Sequence, residues 1–214
     1  MSRKIVAVPA GRRELNKKDK LRRITHAART LFIANGYDEA STRQIAVKAG
    51  VAIGTLFLYA ADKRDLLFLV VNDELEEVAS KAVTAVRSDV PLIENLIAAF
   101  RPLYEFFGKE PRLSRLTLRE MMFYESGLQA KRFIQIRYKM IDLCKEMVRI
   151  AQRRNEIRTG NRYRKAGEVI FYVYQIEIRE WLAGERQLRV DTGLRELEEA
   201  LQIVIAGLSK RQDS

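Results

Sequence analysis

The chain has very little of two residue types on which much protein chemistry depends. Its 214 residues include one cysteine, Cys144, and one histidine, His26. A lone cysteine cannot close an internal disulfide and a lone histidine excludes a His-rich metal centre, so a reducing compartment is expected. The two do not suggest a nucleophile and base, and the sequence shows neither a phosphate-cradling glycine loop nor a metal-ligand spacing. No catalytic residue, metal or cofactor is therefore expected. No uninterrupted apolar run approaches the roughly 20 residues that cross a bilayer. The first twenty residues, MSRKIVAVPAGRRELNKKDK, lack a long apolar region ahead of a small-residue cleavage site. The expected location is the cytoplasm.

Acidic residues are scarce in the first third. Residues 1–70 hold 6 Asp and Glu against 14 Lys and Arg, a net +8 out of +11 for the whole chain. Such an excess implies a polyanionic partner met by the first third, and both nucleic acid and an anionic membrane surface qualify. A chain of this length supports one or two helical domains and buries roughly 70% of its unfolded surface.

What the sequence does have is helical periodicity almost throughout. Residues 1–16, with Pro9, Gly11 and the cations Arg3, Lys4, Arg12 and Arg13, show no sustained pattern and read as a flexible basic arm. From Lys17, Leu21, Ile24, Ala27, Ala28, Leu31 and Phe32 fall on one face until Asn35 and Gly36 stop the helix. Ser41 and Gln44 have capping-box spacing, which predicts a short helix over 42–49 ended by Gly50. Asp62 then caps a long amphipathic helix over 63–86. Further helices are predicted over the stretch from Asp89 containing Pro102, which should kink it, and over 112–124, 128–155, 162–183 and 192–208. Only VIFYVYQIEI, 169–178, has the β-branched and aromatic content of a strand, and its continuation without turn residues favours a buried helix. The fold class is all-α, divided into an arm at 1–16, a domain at 17–64 and a second helical domain at 65–214.

Three helices in about fifty residues, the last two separated by a tight turn at Gly50, describe a helix-turn-helix whose third helix suits the DNA major groove. The stretch GYDEASTRQIAVKAGVAIGTLFLYAADKRDLL, 36–67, resembles the N-terminal DNA-binding domain of the TetR family of bacterial transcription regulators. Phe32, Gly36, Tyr37, Ile45, Ala46, Ala49 to Val51, Gly54 to Leu56, Tyr59, Lys63 and Leu66 carry the resemblance in order and without a gap. It implies that Ala52, Ile53, Gly54, Thr55, Phe57, Leu58 and Tyr59 read DNA, while Ser41, Thr42, Arg43, Lys48 and Lys63 hold it. Chemically, Gly54 permits a close backbone approach, and Thr55 and Tyr59 offer hydroxyls to phosphates or base edges. Ser41 and Thr42 add an anion-favouring helix start. At Phe57 the family usually has Tyr, and the ring has two possible places, against the phosphates or in the core.

The second domain is rich in aromatics and methionines, most of which suit a core. The resemblance implies a pocket for a small-molecule effector between its helices, with Tyr104, Phe107, Met122, Tyr138, Phe171 and Tyr174 as its candidate lining. Leu194, Leu197, Leu201, Val204 and Leu208 repeat at steps of three and four, a seam suited to another helix. With the resemblance, this seam is the candidate homodimer interface. The function implied is a ligand-responsive repressor that binds a palindromic double-stranded DNA operator as a homodimer. The alternatives are a helical enzyme acting on a small apolar substrate and a basic membrane-surface protein.

Overall fold

A computed structural model describes residues 11–158, 162–184 and 188–208. Within them the helices are α1 (Arg12–Asn35), α2 (Thr42–Ala49), α3 (Ile53–Leu56), α4 (Lys63–Ala85), α5 (Leu92–Lys109), α6 (Pro111–Glu120), α7 (Ala130–Arg153), α8 (Tyr163–Ala183) and α9 (Val190–Ala206). A 3-10 turn, Met121–Phe123, follows α6. The described residues contain no strand, so VIFYVYQIEI is helical, inside α8. The chain packs as two units divided at Val70, six residues beyond the expected boundary.

In the first unit, Ile24, Ala27, Ala28 and Phe32 form the buried stripe of α1, which packs on α2. The helix begins at Arg12, not Lys17. Its first turns, RRELNKK, are exposed and carry one apolar residue, Leu15, so periodicity had nothing to register there. Intrinsic helix preference of Arg, Glu, Leu and Lys carries the extension. Arg12 and Arg13 therefore belong to α1, while Arg3 and Lys4 of the expected arm lie outside the described residues. At the other end of the unit, the Asp62 carboxylate accepts the Asp65 N–H at 2.7 Å, and Asp65 in turn accepts the Ala61 N–H at 2.8 Å. This reciprocal cap fixes where α4 starts.

In the second unit, α5 continues through Pro102. Its core is aromatic: Phe100 stacks on Tyr174 with centroids 4.4 Å apart, and Tyr104 lies against Trp181 at 5.0 Å. Small residues set the helix spacing. A Cβ on Gly167 would stand 2.6 Å from the backbone of Lys145, so α7 and α8 touch main chain to main chain. The Trp181 indole is wedged between Gly108 and Gly193, where a Cβ would stand 2.9 and 2.7 Å from its ring. Cys144 is a fully buried core residue, and burial pushes its thiol pKa far up.

The α9 seam closes within the chain. Leu194, Leu197 and Leu201 are buried, and α9 packs on α5 and α8. These three side chains cannot form a surface for a second copy, which corrects that part of the interface expected from the heptad spacing. Val204 and Leu208 are half-buried.

Candidate nucleic-acid interface and ligand cavity

The helix-turn-helix is built by caps. The Gln44 N–H donates to Ser41 Oγ at 3.1 Å while the Ser41 N–H donates to Gln44 Oε1 at 2.8 Å, completing the capping box. Gly50 takes the left-handed conformation at φ 62°, and the Val51 N–H reaches back to the Ala46 carbonyl at 3.0 Å. Arg23, from α1, donates to the carbonyls of Ala49 at 2.8 Å and Gly50 at 3.3 Å. The turn is thereby held from outside as well as from within.

After the turn, α3 is one helical turn extended by further turn bonds to Ala60. Its inner side, Leu56 and Ala60, is fully buried. Its outer side is apolar and uncovered: Ile53 is 41% exposed, Phe57 43% and Leu58 76%, beside exposed Ala52 and Gly54. Phe57 thus faces outward, and Ala60 takes the inward place. Thr55 and Tyr59 are half-buried, and the Tyr59 hydroxyl donates to the Lys17 carbonyl at 3.3 Å. Ser41, Arg43 and Lys48 are exposed, and Thr42 is half-buried. Residues 11–20, with Arg12, Arg13, Lys17, Lys18 and Lys20, are exposed as well.

Lys63, expected on a phosphate, is otherwise engaged. Its ammonium donates to the carbonyls of Tyr37 at 2.8 Å and Asp38 at 3.2 Å, and it sits 4.4 Å from the centre of the Tyr37 ring. It ties the start of α4 to the α1–α2 connection, a role that spacing along the sequence does not reveal.

The second unit contains a cavity of about 490 Å³. Phe107, Met122, Tyr138, Phe171 and Tyr174 line it, together with Leu75 of α4, Leu103, Phe133, Ile136 and Ile141. Tyr104 does not line it; its ring packs instead against Trp181. The polar lining was not anticipated. Arg137, Lys145, Glu168, Gln175 and Arg179 all reach the cavity. The one available signal was a single arginine, Arg179, on the largely apolar face of α8.

These groups leave positive charge over. Lys145 pairs with Asp142 at 3.2 Å and with Glu168 at 3.5 Å, and Glu168 also meets Lys165 at 3.2 Å. Arg179 instead donates to uncharged acceptors, the Gln175 side chain at 2.9 Å and the Leu118 carbonyl at 3.1 Å. Burial draws its pKa below the usual guanidinium value. Arg137 lies over Tyr138 with its Nε unpartnered. The Tyr174 hydroxyl is fully buried without a partner, and burial raises its pKa well above that of a free phenol, so it stays a donor. An uncompensated donor of this kind costs roughly 1–3 kcal/mol until something accepts from it.

The cavity wall is also tied to α4. Asn72, buried on α4, donates to the Gln129 carbonyl at 3.2 Å. Arg132, at the start of α7, bridges to Glu76 at 2.9 Å and to Asp73. Leu75, which lies on α4 between these two attachments, lines the cavity.

Residues 24–70 match the family model described as bacterial regulatory proteins, tetR family. The chain is 22% identical over 172 residues to the fatty acid metabolism regulator protein of Bacillus subtilis, covering 80% of this chain and 88% of that protein. It is 27% identical over 115 residues to the transcriptional repressor KstR of Rhodococcus jostii, covering 54% and 53%. Among solved structures, FadR of Bacillus subtilis in complex with stearoyl-CoA aligns with a TM-score of 0.68 at 19% identity, over 87% of this chain and 98% of that one. FadR of Thermus thermophilus in complex with lauroyl-CoA aligns with a TM-score of 0.67 at 23% identity, over 91% and 98%.

Proposed function

We propose that the chain is a ligand-responsive, DNA-binding transcriptional regulator of the tetR family, a homodimeric repressor released from its operator by a long-chain acyl thioester of coenzyme A. The observation that carries this reading is the chemistry of the cavity. Its body is apolar, as an acyl chain needs, while its lining holds Arg137, Lys145 and Arg179 against the single carboxylate of Glu168. An apolar chain joined to an anionic head satisfies both parts. The buried Tyr174 hydroxyl offers a donor to the thioester carbonyl. The acyl-CoA ligands of the two FadR structures support the same class.

Two copies of the head on a twofold axis meet half-sites of a palindrome about one helical turn apart or a little more. The dimer surface in this reading is formed by Val169, exposed on α8, with Ile203 and the flanking Val204 and Leu208 of α9, while Tyr172 and Ile176, also exposed on α8, border the cavity. Effector entry displaces Leu75 and with it α4, which is continuous through the division at Val70. The effector must bind the released state more tightly, and a coupling of about 1–3 kcal/mol changes operator affinity roughly 5- to 150-fold.

The test is a titration of labelled DNA flanking the protein's own coding region, with lauroyl-CoA or stearoyl-CoA added to the complex. Release by the acyl-CoA, with none by coenzyme A alone, is the expected result. Direct calorimetry showing no acyl-CoA binding at all would overturn the effector assignment while leaving the DNA-binding function intact.

A further inference from the structure

The surface of the head carries an inference about what it recognises, resting on the DNA-binding reading above. Hydrogen-bonded readout of bases relies mainly on Arg, Lys, Asn or Gln on base edges, with Asp, Glu, Ser and Thr as further possibilities. Apart from Thr55, the segment from Ala49 to Ala61 has none of these, and its only hydroxyls are those of Thr55 and Tyr59. Tyr59 gives its proton to the Lys17 carbonyl, and Thr55 is half-buried. Gln44, on the preceding helix, has its amide oxygen taken by both the N–H and the hydroxyl of Ser41.

What the segment presents instead are three large apolar side chains, Ile53, Phe57 and Leu58, uncovered on the side opposite buried Leu56 and Ala60. Of the groups in the major groove, only the thymine C5-methyl is an apolar target of matching kind. The cations at Arg43, Lys48 and the start of α1 stand outside this segment, where they suit phosphates, which position a protein without conveying sequence.

We propose that this head reads its operator chiefly through methyl groups, with Ile53, Phe57 and Leu58 seated on thymine methyls in each half-site. Sequence selectivity is then a matter of apolar contact, and hydrogen bonds to base edges contribute little. A 5-methylcytosine at the same place serves as a thymine does, because it carries the same methyl at the same ring position.

Replacing thymine by deoxyuridine removes the methyl and keeps every hydrogen-bonding group, so it isolates the effect. The full-length protein is used to enrich an operator from random duplex DNA, and each thymine of that operator is then replaced singly. At two or more positions per half-site binding falls about fourfold, the value of one buried methyl at about 0.8 kcal/mol. In the Leu58→Ala and Phe57→Ala proteins the loss at the cognate position disappears, since the partner of that methyl is gone. Deoxyuridine tolerated within twofold at every thymine would overturn the proposal. So would an operator whose preference is for guanine and is relaxed by Arg43→Ala. Failure to enrich any sequence would instead remove the DNA-binding reading on which the proposal rests.

Discussion

Each unit of the molecule contains side chains in the wrong environment by the ordinary rules of folding, and the two departures are opposite in kind. In the first unit Leu58 and Phe57 are apolar groups left in water, although Leu56, two residues away from Leu58, is wholly enclosed. In the second unit the Tyr174 hydroxyl and the Arg137 Nε are polar groups without a partner beside an apolar cavity. An exposed apolar face is completed by covering it, and an orphaned donor by supplying an acceptor. The contrast teaches that a binding partner is written into the free protein as the environment it lacks. The head asks for apolar surface from outside, and the cavity asks for oxygen and negative charge from within.

The contrast is tested hardest by the two leucines of the reading segment. Leu56→Ala should cost about 2–5 kcal/mol and melt the first unit, as emptied core positions do. Leu58→Ala should change stability by less than about 0.5 kcal/mol while weakening operator binding. Denaturant unfolding of the full chain followed by circular dichroism checks both, and equal losses would mean that Leu58 belongs to the core. Next in size is Gly167→Ala, where the added methyl meets the Lys145 backbone; about 1–3 kcal/mol should be lost, confined to the second unit. Calorimetric melting that shifts only the transition of the first unit would contradict this.

Asp62→Ala should cost about 1 kcal/mol by removing the acceptor for the Asp65 N–H, with Asp62→Asn restoring most of it. The smallest effect on stability belongs to Tyr174→Phe. Deleting an unpartnered hydroxyl should leave stability unchanged or raise it by up to about 1 kcal/mol, while acyl-CoA affinity falls roughly fivefold. A clear destabilisation in thermal melts of this variant would show that the hydroxyl already has a partner and would separate the two units less sharply.

Much of this was legible in the sequence because short-range chemistry decides it. Ser41 and Gln44, Gly50 and Asp62 each act within four residues, so the placement of α2, the turn and the start of α4 follows from spacing alone. The exposed opening turns of α1 were missed because they bury nothing, and a buried stripe is what periodicity detects. The α9 seam shows another limit: a repeat of leucines records that a helix packs, and α5 and α8 of the same chain satisfy it as fully as a second copy would. Lys63 is placed by carbonyls 25 and 26 residues away along the chain and Arg179 by Leu118, 61 residues away, as well as by Gln175, while Arg137 has the neighbouring Tyr138 ring, and spacing along the sequence does not announce that all three cations gather polar or ring contacts there.

The packing of Trp181 between two glycines has a practical corollary. It is the only indole among 214 residues, and the first unit has none. Emission excited at the red edge of the absorption band therefore originates entirely in the second unit, from a ring with Gly108 of α5 on one side and Gly193 of α9 on another. Any ligand that shifts these helices alters the surroundings of that ring, so the unlabelled protein carries a built-in optical gauge of events in the second unit.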